Sequence, residues 1–107
     1  MGKKYFKGSS EIRSLAIGYG SCMATVRITV DGELVGYMYK EQPNTEIDSG
    51  WRFFTGDESS EYVNDPKNIE IYDINTIANY DPTITPFLDA PVGAAYIKKG
   101  STFVVDG

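Results

Sequence analysis

The stretch DSGWRFFTGDE, residues 48–58, places the strongest constraint on how this chain can fold. It holds the only tryptophan of the 107 residues and two of the phenylalanines, bracketed by glycines and acids. Side chains alternate between faces along a strand, so Trp51 and Phe53 share one face while Arg52 and Phe54 share the other. A small domain must bury most of its large aromatic side chains. We therefore predict a strand with Trp51 mainly in the core.

The length and composition favour one globular domain, residues 1–107, of which residues 1–12 are expected to be loose. No apolar run is long enough to cross a bilayer. The basic start MGKKYFKGSS lacks the apolar stretch of a secretory signal, so we expect a cytoplasmic protein. Cys22 is the only cysteine, which agrees with a reducing compartment, and we interpret it as a buried structural residue.

Two further segments predict strands. MATVRITVDGELVGYMYK alternates apolar and polar residues before the DG pair at 31–32, which is typical of a β-hairpin. In its second half Tyr37 and Tyr39 share one face, which is either covered or offers an aromatic row outward, and we favour coverage on both sides. The stretch GAAYIKKGSTFVVDG predicts two strands joined around the KG pair at 99–100.

Short helices are predicted between these groups of strands. Residues 59–64 fit one helical turn capped by Ser59 or Ser60, and DINTIANYDP fits a helix capped by Asp73. DPTITPFLDAP fits a short 3₁₀ turn because Pro86 removes a helical hydrogen bond. The predicted fold is a single α+β domain, in which a curved antiparallel sheet of about five strands has short helices inserted between strands three and four.

Charge is distributed unevenly along the chain. Residues 41–89 contain eleven acidic and two basic residues, a local net charge of -9, against -5 for the whole chain. Such a surface repels nucleic acid and anionic membranes and attracts a basic partner, although acidic loops also serve simply to keep a domain soluble. Three lysines interleaved with aromatics in residues 3–7 resemble a nucleic-acid-binding arm only weakly.

The absence of histidine narrows the possible chemistry. It excludes Ser-His-Asp and Cys-His catalysis and most catalytic zinc sites. The chain has no GxxxxGK phosphate loop, and GYGSCM does not complete a dinucleotide fingerprint. Acids beside the aromatic strand leave open a carboxylate enzyme acting on sugars, and DPKNIEIYD leaves open a calcium site. We favour a non-enzymatic protein without a cofactor or a metal.

Three motifs carry a resemblance to a known family. DSGWRFFTGDE with the following EYV, then IYDINTIANYDP, then PFLDAPVGAAY resemble the immunity protein 33 family of bacteria, over roughly residues 22–96. The resemblance implies a role in polymorphic toxin systems, in which a small cytosolic protein binds and neutralises a toxin. It implies no catalytic residues. An acidic protein of this kind would suit a basic toxin.

The candidate partner-facing residues lie at the ends of the aromatic strand and in the turn after it. They are Asp48, Trp51, Asp57, Glu58, Glu61 and Tyr62. Tyrosine is a common interface anchor, but Tyr62 is equally suited to packing on the sheet. Asp73 and Asp81 are better explained as helix caps. The alternative is a small binding or regulatory domain with an unknown ligand.

Overall fold

A computed structural model describes residues 5–106. The strands are β1 (Ser21–Thr25), β2 (Tyr37–Lys40), β3 (Asp48–Phe54), β4 (Ile69–Asp73), β5 (Ala95–Lys99) and β6 (Thr102–Val105). The α-helices are α1 (Val26–Thr29), α2 (Ser60–Val63) and α3 (Ile74–Tyr80). Turns of 3₁₀ helix occupy Ser9–Glu11, Pro66–Asn68 and Pro82–Phe87. The predicted α+β class is confirmed, with the helices short and the open sheet larger than expected.

The six strands form one sheet in the order β4-β1-β3-β2-β5-β6. Four neighbouring pairs are antiparallel, but β1 and β3 run parallel, so the prediction of a purely antiparallel sheet of about five strands is corrected to a mixed sheet of six. A parallel pair needs a long crossover, which here contains α1 and β2. The predicted strand over WRFFT is confirmed as β3, and the two carboxy-terminal strands are confirmed as β5 and β6.

The predicted hairpin in MATVRITVDGELVGYMYK is wrong. After β1 the chain turns into α1, whose first turn is capped by Thr25, with its Oγ1 accepting from the Arg27 N–H at 3.3 Å. Ile28 is fully buried in the shared core. Gly32, at φ +76°, follows this helix, and its N–H donates to Ile28 O at 3.1 Å. The DG pair therefore ends a helix, because tertiary packing overrides the strand propensity of β-branched residues.

Strand β4 was missed by the sequence patterns. It pairs antiparallel with β1, with Cys22 opposite Tyr72 and Met23 opposite Ile71. The alternation in IEIY was a usable strand signal, but the run is only four residues long and is flanked by polar residues. Among residues 5–106, no group of three or more acidic or cysteine side chains is arranged to hold a metal ion.

The predicted helices after β3 are confirmed with their caps. Ser59 caps α2 by accepting from the Tyr62 N–H at 3.1 Å, and Asp73 caps α3 by accepting from the Asn75 N–H at 2.8 Å. Asp81 caps the 3₁₀ turn Pro82–Phe87, as expected for a segment interrupted by proline. Because each cap depends on atoms two or three residues away, these helix starts could be predicted locally.

One face of the sheet, the inner face, forms the core beneath α3 and Pro82–Phe87. Trp51 and Phe53 lie on this face and are 1% and 0% exposed, which confirms the prediction that Trp51 is core. Trp51 Nε1 donates to Leu88 O at 3.1 Å, so the indole polar group is satisfied. Burying such aromatic side chains contributes roughly 1.5–3 kcal/mol each.

The amino terminus lies partly outside the described residues. Lys3 and Lys4 belong to residues 1–4, so the interpretation of this segment as a basic arm stays a prediction, as does the looseness of residues 1–12. Further along, the Phe6 N–H donates to Thr29 O at 2.7 Å and the Lys7 N–H to Tyr80 Oη at 2.9 Å.

Candidate partner-binding site

The other face of the sheet, the outer face, carries a groove of about 770 Å³. Its floor is formed by side chains of β2 and β3, and its walls are apolar residues of β1, β4 and β5 together with the segment that follows α2. The helix α3 and the turn Pro82–Phe87 pack on the inner face, so they leave this groove open. A concave, largely apolar surface with a few polar groups is typical of a binding site.

Aromatic rings line the floor of the groove. Tyr39 and Phe54 stack nearly parallel, with ring centroids 6.0 Å apart and an interplanar angle of 4°. Tyr37 lies beside Tyr39 at 5.8 Å. Tyr37 and Tyr39 are half-buried, so the preference for coverage of both faces of this strand is wrong, and the aromatic row does face outward into the groove.

A buried arginine forms the polar centre of the floor. Arg52 is 2% exposed, and its Nη1 and Nη2 donate to the two carboxylate oxygens of Asp48 at 2.9 and 2.8 Å. Its Nε donates to Glu41 Oε2 at 2.6 Å. The hydrogen bond from Arg52 holds the pKa of Asp48 well below its usual range, and the same bond raises the pKa of Arg52. The guanidinium charge is therefore compensated within the protein.

The loop after β3 is ordered by its own carboxylates. Glu58 accepts from the backbone N–H groups of Thr55 and Gly56 at 2.8 and 2.9 Å, and it lines the groove. Asp57 accepts from Thr55 Oγ1 at 2.6 Å and forms a 2.6 Å salt bridge with Arg27. The hydrogen bond from Thr55 is the main cause of the lowered pKa of Asp57. This loop therefore presents its acids in defined positions.

The structure brings some predicted partner-binding residues together and separates others. Asp57, Glu58, Glu61 and Tyr62 lie in sequence order on the β3–α2 loop and in α2, with Asp57 and Glu61 exposed. Asp48 begins β3, and its carboxylate forms a salt bridge with Arg52.

The predicted partner-binding residue Trp51 lies on the inner face and is 1% exposed, which agrees with the prediction that it is mainly core and keeps its side chain away from a partner on the outer face. Sequence reasoning also missed the floor residues Tyr37 and Tyr39 as site residues, although their alternation was visible.

Cys22 is not placed to act as a nucleophile. Its side chain is 1% exposed within the core, and burial raises the pKa of its thiol well above the usual range. Asp73 and Asp48 add to this rise, while the charge of Arg52 opposes it. The thiol therefore stays protonated at neutral pH, as expected for a structural cysteine.

The fold and the groove define a small α+β domain whose prominent surface feature is an open groove on the outer face of the sheet. A family model described as "Immunity protein Imm33 domain" matches residues 22–104, and the chain therefore belongs to the Imm33 family. Membership associates the chain with toxin immunity, and proteins of this kind generally act without catalysis. Searches of curated proteins and of solved structures found no match. Within residues 5–106, none of the helices has the length and apolar character required to traverse a bilayer.

Proposed function

We propose that this protein is a bacterial immunity protein that binds a protein toxin of a polymorphic toxin system and blocks it without catalysing a reaction. The observation that carries this proposal is the open outer face of the sheet in a chain of the Imm33 family. Its groove combines aromatic rings with acidic side chains, whereas the inner face is filled by the core. Tyrosines with apolar neighbours are well suited to act as anchors in a protein interface.

The proposed contact surface extends from the groove across the loop after β3. Glu58 lies inside the groove, while Asp57, Glu61 and Tyr62 lie beside it in sequence. Asp48 contributes indirectly, because its carboxylate fixes Arg52 in the floor. Trp51 contributes only by supporting the sheet from the inner side.

The charge of this surface favours a basic toxin. Acids outnumber bases on it, because Glu41, Glu58 and Asp106 line the groove with Arg52, while the exposed Asp57 and Glu61 lie on the neighbouring loop and helix. Complementary charge speeds association and disfavours wrong partners. The same field disfavours nucleic acid and anionic membranes as partners. We propose that the complex forms in the cytoplasm.

The proposal is tested with the genes that flank the gene for this chain. Each neighbouring open reading frame is expressed in a bacterial host with and without this protein, and growth is measured. A toxic neighbour whose effect is relieved by co-expression, and which binds the purified protein in a calorimetric titration, supports immunity. The double variant Asp57→Lys, Glu58→Lys should then weaken binding at least tenfold, since each charge reversal inside an interface costs on the order of 1 kcal/mol or more.

A matched control distinguishes the effect of this site on binding from the effect of net charge. The variant Glu46→Lys, Asp89→Lys makes the same change in net charge at exposed acids that do not line the groove. It should bind the toxin nearly as the native protein does. Equal weakening of toxin binding in both double variants would contradict the proposed surface. A flanking toxin that this protein does not bind, and whose growth inhibition it does not relieve, would contradict immunity.

A second candidate function is a small binding or regulatory domain. The volume of the groove, about 770 Å³, lies in the range of small-molecule sites and favours this alternative. A ligand that raises the melting temperature of the native protein, but not that of a variant with Tyr39→Ala, would support it. Relief of a flanking toxin by the native protein would instead favour immunity.

A further inference from the structure

Asp57 of the loop after β3 and Tyr62 of the following helix α2 together hold one arginine of the protein itself, through a carboxylate and a ring. The guanidinium carbon of Arg27 lies 4.5 Å from the centroid of the Tyr62 ring, and its Nη1 is 2.6 Å from Asp57 Oδ1. The negative face of the ring and the carboxylate both favour a cation at this place. This part of the fold therefore already binds a guanidinium group through a ring and a carboxylate.

The same combination of ring and carboxylate recurs inside the groove. Phe54 and Glu58 both line it, and the Phe54 ring is held by stacking on Tyr39. The Glu58 carboxylate is oriented by the N–H groups of Thr55 and Gly56. Among the described part of the chain, the salt bridges involve Arg27, Arg52 and Lys98 with other acids and do not include Glu58. Glu58 is thus an acid that the backbone of its own loop orients, in a groove that is also lined by an aromatic ring.

The remaining charges of the groove also favour a cation. The acids that line it are Glu41, Glu58 and Asp106, and the lining base is Arg52. Arg52 is already compensated by Asp48 and Glu41, so its charge is not available to attract an anion. A partner carboxylate entering the groove would meet Glu58 and Asp106, the two lining acids that do not pair with Arg52. A partner cation would meet an acid and aromatic faces, which is the favourable arrangement.

Apolar walls favour a cation that carries an aliphatic stem. Met23, Val63, Ile69 and Ile97 line the groove around the aromatic floor. Arginine has such a stem, and its planar head stacks on rings better than an ammonium group does. Apolar residues next to the arginine in the partner would cover the same walls.

We propose that the groove binds an arginine side chain of the toxin, flanked by apolar residues, with the stem between Phe54 and Val63 and the guanidinium at Glu58. This inference rests on the proposed function and specifies the chemistry of the partner. The arginine is the anchor of the interface, and the acids of the neighbouring loop form its polar rim.

The test uses two peptides that differ in one functional group. Acetyl-Leu-Val-Arg-Val-Leu-amide and its citrulline analogue, which is nearly the same shape but neutral, are titrated into ¹⁵N-labelled protein and followed by NMR. For the arginine peptide, shifts should concentrate on amides of β2, β3 and β5 around the groove. The citrulline peptide should bind about tenfold more weakly, as expected when a charge-assisted hydrogen bond is replaced by a neutral one.

Two variants identify the groups responsible. Glu58→Gln should remove the preference for arginine, whereas Glu46→Gln, at an exposed acid outside the groove, should retain it. Because Glu58 also orders its loop, Phe54→Leu is measured as well; it removes the ring, keeps an apolar side chain and should weaken the arginine peptide several-fold. Absence of saturable binding at millimolar peptide, equal affinity for the two peptides, or shifts outside the groove would overturn the inference.

Failure of the inference and failure of the proposed function give different results. Suppose that the native protein relieves growth inhibition by a flanking toxin, and that Glu58→Gln and Phe54→Leu both bind this toxin as tightly as the native protein does. Immunity then stands and the arginine site is wrong. If the arginine peptide binds in the groove but no flanking toxin is bound or relieved, the arginine site stands and immunity is wrong.

Discussion

Both carboxylate oxygens of Asp48 accept hydrogen bonds from Arg52, which lies four residues further along β3. The distances are 2.9 Å from Nη1 and 2.8 Å from Nη2. The side chain of Arg52 is 2% exposed and that of Asp48 is 9% exposed. Glu41, the residue after β2, accepts a further hydrogen bond from Arg52 Nε. Arg52 therefore links β3 to the segment that follows β2, and it supports the floor of the proposed binding face.

Replacing Arg52 with Met should lower the free energy of unfolding by roughly 2–4 kcal/mol, because it leaves the nearly buried Asp48 carboxylate without its cation. Chemical denaturation measures this change. Glu41→Gln is the control, since Glu41 is 48% exposed and an exposed ion pair contributes less than about 1 kcal/mol. Similar losses in the two variants would show that the Asp48 pair is no more important than the exposed one.

Acid should remove the stabilisation that Asp48 provides. Its pKa is lowered in the folded protein by the hydrogen bond from Arg52, so its contribution is fully present above the ordinary aspartate pKa, about 3.9, and is lost as the pH falls toward the lowered value. Between pH 6 and pH 3 the stability advantage of the native protein over Asp48→Asn should shrink by roughly 1–2 kcal/mol. Denaturation curves across this range test it, and a constant difference would contradict the lowered pKa.

Gly36 should tolerate no side chain. A Cβ atom there would lie 1.9 Å from Thr55 O, and the Gly36 N–H already donates to Phe54 O at 2.8 Å, so the two backbones cannot separate without losing this bond. Gly36→Ala should cost about 2–4 kcal/mol of unfolding free energy, measured by denaturation.

Gly93→Ala is the matched control for this substitution. Gly93 has φ +99°, but a Cβ atom at this position would have no neighbouring atom within 4 Å, so only backbone strain of about 1–2 kcal/mol applies. A smaller effect at Gly36 than at Gly93 would contradict the close approach of β2 and β3 at this point.

Cys22 should resist thiol reagents in the native state. Its burial and raised pKa keep the thiolate population very small at pH 8. An aromatic disulfide reagent should therefore modify it at least about a hundredfold more slowly in native protein than in protein unfolded by guanidinium, because a buried group reacts only after the structure opens. Comparable rates in the two states would show that β1 is not held in the core.

The local parts of the fold were predictable from the sequence. The strand with Trp51, the caps at Ser59 and Asp73, and the two carboxy-terminal strands depend on side-chain alternation or on bonds spanning two or three residues. The family resemblance was visible in the same motifs and is confirmed by the match to residues 22–104. The acids of the loop after β3 were also visible, but the pairing of Asp57 with Arg27 was not.

Composition and local pattern by themselves excluded catalysis by histidine. They also predicted that the tryptophan is buried and that the fold belongs to the α+β class. Only the tertiary structure decided that β1 lies between β3 and β4, that residues 26–29 turn into a helix, and that Tyr39 and Phe54 face an open groove. The reason is physical: alternation shows that two faces of a strand differ, but which face is covered depends on segments distant in sequence. Here α3 packs on one face alone, and the other face carries the open groove.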